Sequence, residues 1–98
     1  MDLQNTNDSV LLGEFNQVVN RMESLFSTER APYDELDEII AVVEQRQFAR
    51  HTTKYTRVRF LTGRLGRILL DNTFDLDGEP YRRLNGAWER LAKHLGIV

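Results

Sequence analysis

Apolar residues recur at helical spacing in four separate stretches of the chain. In the first, from about Ser9 to Phe26, Leu12, Phe15, Val19, Met22 and Phe26 follow one another at intervals of three and four. Leu11, Val18 and Leu25 widen that stripe into the broad apolar face of a bundle helix. The second, from about Pro32 to Phe48, turns Leu36, Ile39, Ile40 and Val43 to one side. The third, Thr53 to Asn72, places Val58, Leu61, Leu65, Ile68 and Leu69 within an arc of about 100°. The fourth, from about Gly78 to Leu95, repeats Tyr81, Leu84, Trp88, Leu91 and Leu95 as a heptad, so Trp88 is expected in the core.

The segments between these stretches carry start and stop signals. Asp8 or Ser9 is placed to cap the first helix, Thr52 or Thr53 the third, and Asp77 the fourth. Pro32 disfavours helix at Ala31 and suits the start of the second helix. Asp34, Glu35, Asp37 and Glu38 crowd that helix's first turns, where the helix dipole favours negative charge. Gly96 is a natural C-terminal stop. Short connectors favour antiparallel neighbours. The predicted fold is therefore an all-α antiparallel up-down four-helix bundle, one domain over residues 1–98 with residues 1–8 as a frayed tail. A three-helix array with the first helix loosely docked is the alternative.

Composition narrows the chemistry. At 41% apolar residues the chain has material for a core, and with no cysteine it has neither disulfides nor thiolate metal ligands. The start, MDLQNTNDS, lacks the basic-then-apolar pattern of a signal peptide, and the longest apolar run, Ile39–Val43, is far too short to span a membrane. A soluble, cytoplasmic protein is expected. The net charge of −2 is unevenly spread. Residues 1–45 hold ten acids and two cations, whereas Arg46–Leu70 holds seven cations and no acid. Two explanations stand at this stage: the acids of the second helix face the cations of the third, or those cations face an external anionic partner.

Motifs of known chemistry fit poorly. Thr73–Gly78, TFDLDG, resembles part of a calcium loop, but Thr73 and Leu84 occupy positions that need carboxylates and Pro80 lies inside. Gly63-Arg64-Leu65-Gly66 fits a nucleic-acid-clamping G-x-x-G, yet it lies within a helical pattern with no strand nearby. His51 and His94 are far apart near helix ends, and no spacing sets up an acid–base pair. No enzyme activity, cofactor, metal or small-molecule substrate is expected. The candidate surface is a row at intervals of three, four and three: Arg57, Phe60, Arg64 and Arg67. An aromatic ring among guanidiniums suits an acidic protein groove or a phosphate backbone. Internal ion pairing explains the same row without a partner.

The pattern resembles the immunity proteins of class IIa (pediocin-like, enterocin A type) bacteriocins over roughly residues 10–97. The resemblance lies in the acidic second helix after Ala31-Pro32-Tyr33-Asp34 and, above all, in the last third. There an apolar helical segment, Arg64–Leu70, is followed by a polar turn, Asp71–Asp77, with Phe74 as its apolar residue. A final helix, Tyr81–Gly96, then carries Leu84, Leu91 and Leu95. Members are often lysine-rich, whereas this chain uses arginine; many have a tail beyond the last helix, whereas this sequence ends at Val98. The resemblance implies a cytoplasmic four-helix bundle, peripheral at the inner face of the membrane. Its implied partner is the membrane receptor of the bacteriocin, components of the mannose phosphotransferase system, whose pore it blocks. The recognition role that the family places in its C-terminal half falls here on the third helix and on Arg90, Lys93, His94 and Ile97 of the fourth. A monomer is expected, and nucleic acid is not the expected ligand. The rival readings are a regulatory module binding nucleic acid or an acidic protein through the arginine row, and a dimeric adaptor in which Phe60 and the glycines form the interface.

Overall fold

The chain forms four α-helices, α1 (Asp8–Leu25), α2 (Tyr33–Gln45), α3 (Thr53–Asp71) and α4 (Glu79–Leu95), with no strand among the described residues. The structure, a computed structural model, describes residues 3–97. It measures 36 × 30 × 18 Å, the short dimension being two layers of helices. The predicted stripes are the core: Leu12, Phe15, Val19 and Met22 of α1 meet Leu36, Ile40 and Val43 of α2, Val58 and Leu65 of α3, and Leu84 and Leu91 of α4. Among the described residues no buried side-chain nitrogen or oxygen lacks a hydrogen-bond partner. Buried Thr62 satisfies its hydroxyl by donating to the carbonyl of Val58 at 2.8 Å.

Successive helices run in opposite directions, but neighbours in sequence are not always neighbours in space. Around the bundle the order is α1, α2, α4, α3, so α2 and α3 lie on a diagonal. The segment from Arg46 to Thr52 therefore crosses the end of the bundle. Parallel pairs result: Lys54 of α3 meets Asp8 of α1 near both N-termini, and Arg90 of α4 meets Glu44 of α2 near both C-termini. The acids of α2 face α4 rather than the basic α3. The α2–α3 charge pairing, one of the two explanations for the charge asymmetry, gives way among the described residues to Arg83 bridging Asp34 and Asp37 at 2.9 Å each, and to Arg21 of α1 on Glu35.

Helix ends explain the other differences. The cap of α1 is Asn7, whose side chain accepts from Val10 N–H at 2.9 Å. Neither expected cap, Asp8 nor Ser9, takes that place; Asp8 is instead drawn to Arg46 and Lys54. The α2 helix stops at Gln45 because Arg46 turns extended, and Phe48 packs on the core from the connector. His51 then takes a left-handed conformation at φ 73°, and Thr52 caps α3 by accepting from Tyr55 N–H. Asp77 does not cap α4: Gly78 occupies that position without a side-chain bond, and the Asp75 carboxylate accepts from Asp77 N–H within the turn. Gly96, at φ 73°, ends α4 with Gly96 N–H on the Lys93 carbonyl and Ile97 N–H on that of Ala92.

The frayed tail expected for residues 1–8 is anchored from Leu3 onward; Met1 and Asp2 lie outside the described residues. Leu3–Asn5 forms one 3-10 turn against α2. The Arg46 guanidinium donates to the carbonyls of Leu3 and Thr6, at 3.2 and 2.6 Å, while pairing with Asp8 at 2.9 Å. At the opposite end Phe74 packs between Phe26 and Tyr81, with ring centroids 5.3 and 5.9 Å apart, and closes the bundle. The Tyr33 hydroxyl ties the same end together by donating to the Phe26 carbonyl at 2.8 Å. Burial pushes its phenol above the ordinary range.

Candidate functional site

The eight residues expected at a partner surface divide between two opposite seams of the bundle. Arg57, Phe60, Arg64 and Arg67 belong to α3, beside α1. Arg90 and His94 sit on the α2–α4 seam, where Arg90 pairs with Glu44 and His94 Nε2 lies 3.1 Å from the Arg46 carbonyl oxygen. Hydrogen bonding to Glu44 pushes the already high pKa of Arg90 up further, so it stays a cation, ion-paired at the surface of the seam. Lys93 is exposed and without an ion-pair partner among the described residues, and Ile97 is 40% exposed just past the helix. The structure does not bring these two groups together.

Within the α3 row the helical period assigns different roles. Arg64 turns toward α1 and is only 18% exposed. Its guanidinium bonds Asn20 at 2.6 Å and Asn16 at 3.3 Å and pairs with Glu23, residues spaced along one face of α1. That fork is internal scaffolding. Arg57 has no acidic partner among the described residues, and neither does the adjacent Arg59. Arg67 reaches only Asp71, one turn on, at 3.9 Å with both side chains open to solvent. Phe60 projects outward, 66% exposed, and Leu70 on the same side is 84% exposed. With Arg64 drawn inward, the outward part of the row is Arg57, Phe60 and Arg67.

A shallow apolar groove of about 480 Å³ adjoins this face where α3 meets α4, bounded by Gly66, Leu69, Leu70, Tyr81 and Trp88. Trp88, expected in the core, is half-buried and forms its wall. Sequence reasoning missed Leu70 and the groove. Leu70 follows the core pair Ile68 and Leu69, and only the helix orientation turns it out.

Among the described residues no group of three His, Asp or Glu side chains is arranged to hold a metal ion, and no helix is long and apolar enough to cross a membrane. Compared with protein-family models, curated proteins and solved structures, the chain matches none.

Proposed function

We propose that the protein is a non-catalytic binding protein of the bacteriocin-immunity type, and that the outward face of α3 is its working surface. The observation that carries this reading is the exposed Phe60 ring flanked by the guanidiniums of Arg57 and Arg67, with Leu70 beyond it. A large apolar side chain held on a rigid helix beside an unpaired and a loosely paired guanidinium offers a partner both a dry anchor and charge selectivity. The sequence pattern supplies the partner: the membrane receptor of a pediocin-like peptide, the mannose phosphotransferase components, approached from the cytosolic side. The cations also favour a site close to anionic lipid headgroups. Docking there blocks the pore that the bound peptide otherwise opens.

The test is expression in a strain sensitive to pediocin-like peptides. Survival on challenge is expected, and Phe60→Ala or Arg57→Ala is expected to abolish it while the protein stays folded. Absence of protection against every peptide of the class would end this reading.

A further inference from the structure

The outward side of α3 carries a second stripe, opposite the one in the core. Thr56, Phe60, Gly63, Arg67 and Leu70 recur at intervals of four, three, four and three, the spacing of a two-helix seam, and all five are exposed. Gly63 has no use within the chain. A Cβ there would meet nothing within 4 Å, yet glycine weakens a helix interior relative to alanine.

We propose that this stripe is a self-association surface on which a second copy of the chain packs α3 against α3, antiparallel, about a two-fold axis at Gly63. The register follows from the stripe itself. With Gly63 on the axis, Thr56 of one copy is level with Leu70 of the other, and Phe60 falls within one residue, about 1.5 Å, of Arg67, each twice by symmetry. Each Phe60 ring then lies against a guanidinium, and each Leu70 gains cover from a threonine methyl. Glycine on the axis lets the two backbones approach closely.

Charge selects this arrangement over the others. Arg57, Arg64 and Asp71 flank the stripe on its α1 side. In an antiparallel pair, residues on one flank meet the same flank of the other helix, so Arg57 comes within two residues, about 3 Å along the axis, of Asp71 of the second copy, a gap its long side chain spans, and the reverse. Arg57 otherwise lacks an acidic partner, and Asp71 has only the loose 3.9 Å contact to Arg67. Arg64, one residue from the axis and so close to its own symmetry mate, is pulled away onto Asn16, Asn20 and Glu23, and its charge is met by Glu23. A parallel pair would instead set Arg67 against Arg67. The dimer does not rest on the immunity reading, and it covers Phe60, so a second copy and a receptor compete for one face.

Sedimentation equilibrium on the purified full chain, without bacteriocin or receptor, tests the proposal. A reversible monomer–dimer equilibrium is expected below about 1 mM protein. Arg57→Asp and Asp71→Arg, each placing like charges face to face, are each expected to weaken it about tenfold or more, and the double variant to restore it to within about threefold of the wild type. Phe60→Glu is expected to abolish it. All three positions are exposed, and circular dichroism of each variant confirms folding. A monomer up to about 1 mM overturns the proposal. So does a dimer indifferent to Phe60→Glu, or a double variant no tighter than the single ones.

Discussion

The indole of Trp88 lies directly over Gly66: a Cβ added to Gly66 would come within 2.9 Å of Trp88 Nε1 and 3.2 Å of its Cδ1. The glycine thus sets the distance between α3 and α4. Gly63, one turn earlier, has open space at the same position. Alanine at the two sites is therefore expected to act in opposite directions. Gly63→Ala should stabilise the monomer by up to about 1 kcal/mol through helix propensity. Gly66→Ala should cost about 1–2 kcal/mol net, because displacing the indole outweighs the same propensity gain. Thermal unfolding of both variants at a concentration where the chain is monomeric checks the contrast, with about 4–8 °C expected per kcal/mol.

Arg46 and the N-terminal segment form a second testable unit. Arg46→Met removes the donors to Leu3 and Thr6 and the partner of Asp8. It is expected to cost about 2 kcal/mol, since a largely covered charged donor set is lost together. Hydrogen exchange should accelerate in residues 3–10 and change little in α3 and α4.

Asp8 makes that unit sensitive to acid. The bond from Lys54, then that from Arg46, hold its carboxyl below the usual aspartate range. A group whose pKa is depressed on folding stabilises the fold fully above its unfolded value, near 4, and loses that contribution as pH falls through the lower folded value. The stability difference between wild type and Asp8→Asn is expected to be constant from about pH 5 to 8 and to shrink below about pH 4. Urea titrations across that range measure it.

The arginines of α3 should separate by function. Arg64→Ala is expected to cost about 1–2 kcal/mol, because it strips the fork from Asn16, Asn20 and Glu23. Arg57→Ala is expected to leave stability within about 0.5 kcal/mol. Chemical denaturation distinguishes the two, and only Arg57→Ala should lose protection at unchanged stability.

His51 holds a left-handed backbone conformation that side chains with a Cβ adopt at a cost. His51→Gly is expected to stabilise the protein by about 0.5–1 kcal/mol, relief of that strain exceeding the added freedom of the unfolded chain. A rise in melting temperature would show it.

The amino-acid sequence by itself determined the four helices and their inner faces. Leu12, Leu36, Val58 and Leu84 are buried where their periodicity puts them, because an apolar stripe is a local property that only one helix face can satisfy. The helix ends were legible to within a few residues, with caps misplaced where a competing charge took the residue, as Arg46 and Lys54 took Asp8. What no single helix encodes is which helix lies beside it. That depends on the Arg46–Thr52 crossing and on how whole faces pack, and it set α2 across from α3 rather than beside it. Tertiary structure alone therefore paired the acids of α2 with Arg83 and Arg90, spent Arg64 on α1, and left Arg57, Phe60, Arg67 and Leu70 facing outward.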